Sequence, residues 1–169
     1  NPTSSAISMS GYEVKLYANG STSAGNTLTL SGSIPAYGVY VISNSSSSLT
    51  GITTNSDITS SVTFFNGNDV LELEKNSIVI DAIGTVGSSS NFASDVTMVR
   101  NSGVQKGNTT YTTSEWIMMA QDVDTMIGFH QSICQPCTPD RDTTTVSVCQ
   151  GDSATNGVSF YSVSGIFAD

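Results

Sequence analysis

The segment FFNGNDVLELEKNSIVIDAIG, residues 64–84, decides the fold, because it predicts two short strands joined by a tight turn. Apolar residues within 70–73 precede the turn, and the β-branched run 78–83 follows it. The turn is predicted at Lys75-Asn76-Ser77, since Asn tolerates positive φ and the Ser and Asn side chains bond the local backbone. The segment therefore predicts a β-hairpin.

Charged and apolar residues alternate along the first strand of this hairpin. Glu72 and Glu74 occupy every second position, and Leu71 and Leu73 occupy the positions between them. Because successive side chains of a strand point to opposite faces, the alternation predicts one solvated face, which carries the two glutamates, and one packed face.

Further short strands are predicted on both sides of the hairpin. They are Tyr12–Tyr17, 27–30, 39–42 and Val96–Arg100. Residues 43–61 are almost wholly Ser, Thr and Asn and predict a long solvated loop, and residues 87–94 predict a second loop. No segment predicts a helix of useful length, because apolar residues do not recur at three-and-four spacing beyond single turns. The chain is thus predicted to be all-β.

The composition favours an extracellular β-protein. Only 11% of the 169 residues are charged, against roughly 25% in an average soluble protein, and Ser, Thr, Gly and Asn occupy the polar positions. The 14 acidic and 5 basic residues give a net charge of −9, which repels nucleic-acid backbones and anionic membranes. No apolar run approaches the roughly 20 residues of a membrane helix, so membrane insertion is not expected.

The single tryptophan, Trp116, is predicted to fill the core, because burial is the usual role of an aromatic side chain in a β-protein. Its alternative is an exposed platform on which a ligand stacks. Met118 and Met119 are predicted to fill gaps in the core and not to bind a cofactor.

Three cysteines lie late in the chain, at Cys134, Cys137 and Cys149. The first two have the spacing of a redox pair, but no helix is predicted after Cys137. Zinc would need His130 together with all three cysteines. A structural disulfide from Cys149 to Cys134 or Cys137 is the favoured interpretation, since exported proteins commonly carry such cross-links. One thiol then stays free or pairs with a cysteine elsewhere.

Two pairs of acidic residues offer oxygen ligands to calcium. They are Asp122 with Asp124, and Asp140 with Asp142. Neither pair matches the twelve-residue helix-loop-helix pattern, so solvated turn carboxylates are the favoured interpretation, and no cofactor is assigned. No acid spacing singles out a catalytic pair. His130 is the only histidine, and any Ser or Cys nucleophile with a His base would have to use it.

Five blocks within residues 1–130 carry a further pattern. They are SGYEVKLYANG at 10–20, IPAYGVYVISN at 34–44, FFNGNDVLELEKNSIVIDAIGTVG at 64–87, DVTMVRNSGVQKG at 95–107 and SEWIMMAQDVDTMIGFH at 114–130. In this order they resemble the lamin-tail domain family of bacterial secreted and surface proteins. The resemblance implies an immunoglobulin-like β-sandwich without catalytic residues of its own, with His130 in a structural or solvent-facing role at a domain edge.

The resemblance also implies a division of the chain. Residues 1–131 are expected to form the lamin-tail-like sandwich, residues 132–142 a linker with Cys and Pro, and residues 143–169 a strand-rich tail. Family members carry two strands before the Asn1-Pro2 turn, so those strands are expected to be absent here. The tail resembles the start of a surface-protein repeat of the Bacteroidetes type, and it is either a partial second module or a segment that donates a strand.

These patterns predict a non-catalytic module of a bacterial surface or secreted protein, acting in adhesion or attachment. Its expected partners are proteins or glycans at the cell surface, contacted through loops 43–61 and 87–94. One alternative is a filament or tubule subunit, in which a strand from 143–169 completes the sheet of a neighbouring copy. Another is an accessory domain of a secreted nuclease or other hydrolase, whose catalytic part lies outside this chain.

Overall fold

The computed structural model describes residues 1–130, together with the backbone of two short strands in the tail. In chain order the strands are β1 (Ile7–Ser8), β2 (Tyr12–Tyr17), β3 (Asn26–Thr29), β4 (Ser33–Ile34), β5 (Ile42–Ser43), β6 (Ile58–Thr59), β7 (Val70–Lys75), β8 (Ile78–Ile83), β9 (Val96–Arg100), β10 (Trp116–Ala120), β11 (Ala154–Thr155) and β12 (Phe160–Tyr161). One helix, α1 (Thr50–Asn55), and two 3₁₀ turns, Ser61–Thr63 and Thr113–Glu115, complete the described elements.

A four-stranded antiparallel sheet with the order β3-β2-β7-β8 organises the described residues. Its centre is the predicted hairpin, β7 and β8, and β2 lies against the other side of β7 along its full length. Asn76 and Ser77 have φ values of 50° and 64° in the hairpin turn. Positive φ at both central residues matches the right-handed twist of the flanking strands. The predicted hairpin and its turn are confirmed.

The remaining strands form two-stranded pairs. β1 pairs with β4, β9 with β10 and β11 with β12, all antiparallel, whereas β5 and β6 are parallel. The described residues are therefore mainly β-strands in antiparallel sheets with little helix, which confirms the all-β prediction. The boundaries predicted at 131 and 142 stay predictions, and most of the predicted strand-rich tail, 143–169, lies outside the described residues.

The turn before β7 is held from two sides. Asp69, which is buried, accepts hydrogen bonds from the backbone N–H groups of Asn19 at 2.7 Å and Asn66 at 3.0 Å. Gly67 has a φ of 105°, and a Cβ placed on it would lie 2.5 Å from the backbone nitrogen of Ser94. Only glycine fits this close approach, because it combines positive φ with contact to another backbone segment.

The predicted distribution of polar and apolar faces is wrong for β7. Glu74 was expected in solvent, but it is 5% exposed, and the Nζ of Lys15 donates to both of its carboxylate oxygens at 2.9 and 2.8 Å. Leu71 and Leu73 were expected to be packed, but they are only half-buried. Five apolar residues of the described part are fully buried: Met9, Leu16, Val62, Val70 and Ala82.

Two local predictions also fail. Of the strand predicted at 39–42, only Ile42 is in a strand, β5. The loop predicted at 43–61 contains α1, β6 and the start of a 3₁₀ turn. The start of this helix is stabilised by Asp124, 73 residues further along the chain, which accepts a hydrogen bond from the Gly51 backbone N–H at 2.7 Å. The carboxylate satisfies a donor that a helix start otherwise leaves unpaired.

Candidate functional surface

A charged cluster joins the central sheet to the ribbon formed by β9 and β10. Arg100 lies at the end of β9. One of its guanidinium N–H groups donates a hydrogen bond to Asp81 of β8, and another donates to Glu115 at 2.8 Å. Asp81 also accepts from the backbone N–H of Asn108 at 2.9 Å. Because the guanidinium fork bonds two carboxylates on different elements, the cluster fixes the ribbon against the sheet.

The same cluster keeps Glu115 ionised. The Asn108 side-chain amide donates to its Oε1 at 2.9 Å, and Arg100 donates to the other oxygen. The pKa of Glu115 is lowered below its usual value, mainly by the hydrogen bond from Asn108 and to a smaller extent by the hydrogen bond from Arg100. The geometry indicates a structural ion pair, since each carboxylate oxygen already has a donor.

Trp116 lies beside this cluster and not in the middle of the core. Its ring is half-buried, and the Arg100 guanidinium lies 4.7 Å from the ring centroid, which is a cation–π arrangement. Its Nε1 is shielded from solvent and has no hydrogen-bond partner among residues 1–130. The neighbours Ile117 and Met118 are 50% and 44% exposed, so the predicted core role of Met118 is wrong.

The candidate calcium ligands within the described residues, Asp122 and Asp124, lie in different surroundings. Asp122 is exposed, with a φ of 61°, and the Oδ2 of Asp124 accepts from the backbone of Gly51. Asp140 and Asp142 lie outside the described residues. Over residues 1–130, no group of three or more His, Cys, Asp or Glu side chains is arranged to hold a metal ion.

The predicted cysteine chemistry falls on residues that the structure does not describe. Cys134, Cys137 and Cys149 all lie beyond residue 130, so the disulfide between Cys149 and one of the other two stays a prediction. His130 is the last residue of the continuous described range, and its side chain is exposed.

An exposed aromatic pair lies between the two predicted contact loops. Phe64 and Phe65 are 55% and 52% exposed, and they follow the 3₁₀ turn that ends the first loop. The next turn, at Asn66-Gly67, is bonded to the second loop, because the Gly67 carbonyl accepts from the backbone N–H groups of Phe92 and Ala93 at 3.0 and 2.9 Å. We call Phe64 and Phe65 with residues 87–94 the aromatic corner.

The second loop is anchored and not freely solvated. The ring of Phe92 lies 5.0 Å from that of Tyr111, and it packs so closely on Gly84 that a Cβ there would lie 2.8 Å from the ring. This contact and the bonds to Gly67 hold the backbone of the aromatic corner in place. The backbone of the corner is therefore preorganised, which lowers the backbone entropy lost on binding.

A groove of about 290 Å³ opens on the apolar face of the central sheet. Apolar residues of β2, β7 and β8 line it together with two acids, Glu72 and Asp81, and with Tyr40 and Ile42 from the segment around β5. Val14, Leu71 and Leu73 on the floor are only half-buried. The described residues leave this groove unfilled.

Sequence reasoning missed Asp81 and Arg100, although each carried a signal. Asp81 interrupts the apolar run of β8, and a polar residue within such a strand indicates a buried hydrogen-bonded partner. Arg100 is one of only five basic residues in a chain with 14 acidic ones, a balance that favours an ion pair at such a residue. The pairing itself depends on how the ribbon packs on the sheet.

No family model, curated protein or solved structure matches the chain. Among the residues that the structure describes, no helix is long and apolar enough to cross a membrane. The lamin-tail resemblance therefore rests on the five sequence blocks.

Proposed function

We propose that the chain is a non-catalytic extracellular module that binds a protein or glycan at a bacterial cell surface, built as a lamin-tail-like immunoglobulin sandwich. The five ordered blocks and the antiparallel central sheet support this architecture. The low charged fraction and the Ser- and Thr-rich surface support an extracellular location. The proposal makes the chain a scaffold whose exposed loops and side chains carry the function.

The carboxylates of the scaffold carry the argument against catalysis. Five buried or half-buried acids are bonded to backbone N–H groups or to a cation: Asp69, Glu74, Asp81, Glu115 and Asp124. A general acid or base must be free to exchange its proton with a substrate. Acids used to fix turns and pair cations support a structural role.

The aromatic corner is the surface that best fits a binding role. Exposed aromatic rings on a rigid backbone supply contact area, and the polar side chains of Asn66, Asn91 and Ser94 beside them supply hydrogen-bonding groups. Such a surface suits both expected partners, because sugar rings and protein surfaces each carry apolar faces next to groups that form hydrogen bonds. We therefore assign the first contact with the surface partner to Phe64 and Phe65.

Binding of the full chain to immobilised glycans and to purified cell-surface proteins tests the proposal. We expect the double variant Phe64→Ser, Phe65→Ser to lose at least tenfold in affinity, roughly 1.4 kcal/mol. The matched control is Tyr37→Ser, which removes an aromatic ring that is 57% exposed elsewhere, and it should bind as the wild type does. Equal loss in both variants would contradict the assignment.

An activity assay separates the module from an enzyme. The full chain should show no turnover on nucleic-acid, peptide or glycoside substrates. Hydrolysis that is lost in His130→Ala would overturn the non-catalytic proposal, because this is the only histidine of the chain.

A further inference from the structure

The strand β10 has one edge that faces away from its partner β9. The backbone N–H of Asn101 donates to the Glu115 carbonyl at 2.8 Å, so these residues form a hydrogen-bonded pair at the end of the ribbon. Hydrogen-bonded and non-hydrogen-bonded pairs alternate along an antiparallel ladder. With the register of the ribbon, the backbone groups that point away from β9 are those of Trp116, Met118 and Ala120.

Most of these outward backbone groups have no partner among residues 1–130. The Trp116 N–H donates to the Thr113 carbonyl in the preceding 3₁₀ turn. The Trp116 C=O and the N–H and C=O groups of Met118 and Ala120 form no hydrogen bond within that range. An edge with unpaired donors and acceptors is the usual point at which a strand of another chain is added.

The features that normally protect a strand edge are missing from β10. Its sequence WIMMA has no charge and no proline, and its pairing with β9 runs without a bulge. Ile117 and Met118 are 50% and 44% exposed, and Ala120 is also exposed. In β9, by contrast, Arg100 carries a charge and residues 97–100 are only partly exposed. The edge of β10 is therefore the more accessible edge of the ribbon.

We propose that β10 of a second copy of this chain pairs antiparallel with this edge, about a two-fold axis at Met118. Met118 then lies opposite the partner's Met118, and Trp116 lies opposite the partner's Ala120. This register brings the outward-pointing residues of both copies together. The two Met118 residues exchange two hydrogen bonds, and each Ala120 N–H donates to the Trp116 C=O of the other copy. The two ribbons become one four-stranded sheet.

Side-chain size and charge also fit this register. The large side chain of Trp116 falls opposite the small one of Ala120, on the same face of the sheet. The acids that flank the strand, Glu115 and Asp122, fall opposite Gln121 and a serine, so no two acids face each other. Because both copies use the same edge, the contact closes at a dimer. It does not involve the aromatic corner, so either proposal can fail without the other.

Sedimentation of the full chain at increasing concentration tests the proposal. A contact of one short strand from each copy is small, so we expect a reversible monomer–dimer equilibrium between about 1 μM and about 1 mM. Salt at about 0.15 M limits the repulsion between two chains of net charge −9 to a range of about 8 Å. A chain that stays monomeric throughout, or oligomers that keep growing beyond the dimer, would overturn the proposal.

A charge exchange at Met118 tests the register. Met118→Lys and Met118→Glu each place like charges directly opposite one another, and each should weaken dimerisation at least tenfold. The matched control Ile78→Lys adds the same charge to a residue of β8 that is 68% exposed, and it should dimerise as the wild type does. An equimolar mixture of the two Met118 variants should recover the dimer, which also shows that both are folded. A mixture that stays monomeric would contradict the two-fold axis at Met118.

Amide hydrogen exchange separates a second copy from another segment of the same chain. Exchange of the Met118 and Ala120 N–H groups should slow at least tenfold from the lowest to the highest protein concentration. The Ile117 N–H points toward β9 and should change less. Protection of Met118 and Ala120 that is independent of concentration would mean that another segment of the same chain covers the edge, and it would overturn the proposal.

Discussion

At β7, the two faces of the central sheet are buried in the opposite sense to that expected from their composition. On the polar face, Glu74 is 5% exposed and bonded twice to Lys15. On the apolar face, Leu71 and Leu73 are half-buried beside an open groove. The alternation along a strand determines which side chains share a face. Whether that face is covered depends on segments that come from elsewhere in the chain.

The largest effect is expected at the closed end of the apolar face. Leu16 is 1% exposed, and the 3₁₀ turn with the buried Val62 packs on its strand. Leu16→Ala should lower the free energy of unfolding by about 3 kcal/mol, from lost transfer energy and the cavity left behind. Denaturant unfolding measures this, with the half-buried Leu28 as a control that should cost less than about 2 kcal/mol as Ala. Equal costs would mean that the two positions are equally packed.

The next effect is expected on the polar face. Lys15→Met should lower the free energy of unfolding by about 2–3 kcal/mol, because it leaves the Glu74 carboxylate buried without its cation. The range is set below that of a fully buried pair, since the Lys15 side chain is 23% exposed. The same unfolding measurement on Lys15→Met with Glu74→Leu should recover most of the loss. A single variant as stable as the wild type would show that the pair contributes little.

A smaller effect is expected at the open end of the apolar face. Leu73→Ala should cost about 1–2 kcal/mol, below the usual range for a buried leucine. The cost is smaller than that of Leu16→Ala because the Leu73 side chain is only half-buried. Denaturant unfolding measures this cost, and a value as large as that of Leu16→Ala would contradict the difference between the two ends of the face.

The smallest effect is expected at alkaline pH. The pKa of Tyr17 is raised from 10.0 to about 12. Burial is the largest cause, and the hydrogen bond to Glu72 and the charge of Glu72 add to it. Since the folded-state pKa is raised, the stabilising contribution is complete below pH 10 and is lost as the pH rises through 12. Ultraviolet titration should show a tyrosine that ionises near pH 12 and is missing in Tyr17→Phe, in addition to Tyr111, whose pKa is also raised by burial. The same late titration in that variant would assign it to another residue.

Local chemistry explains what could be predicted from the sequence. The hairpin, β2 and β9 follow from β-branched alternation, and the hairpin turn follows from the tolerance of Asn76 for positive φ. Each depends on residues within a few positions of one another. The predicted contact loop at 87–94 likewise lies next to an exposed aromatic pair, although its anchoring by Phe92 involves Gly67 and Tyr111.

The sequence by itself determined the all-β class, the central hairpin and which side chains of its first strand share a face. These depend on side-chain periodicity and local turn preferences. Only the tertiary structure decided that Glu74 is buried, that Trp116 lies against Arg100, and that α1 begins where Asp124 reaches Gly51. These features require partners brought together from distant parts of the chain. Which face of a sheet is buried, and which side chains contact each other across the fold, depend on packing. The periodicity of a single segment does not encode them.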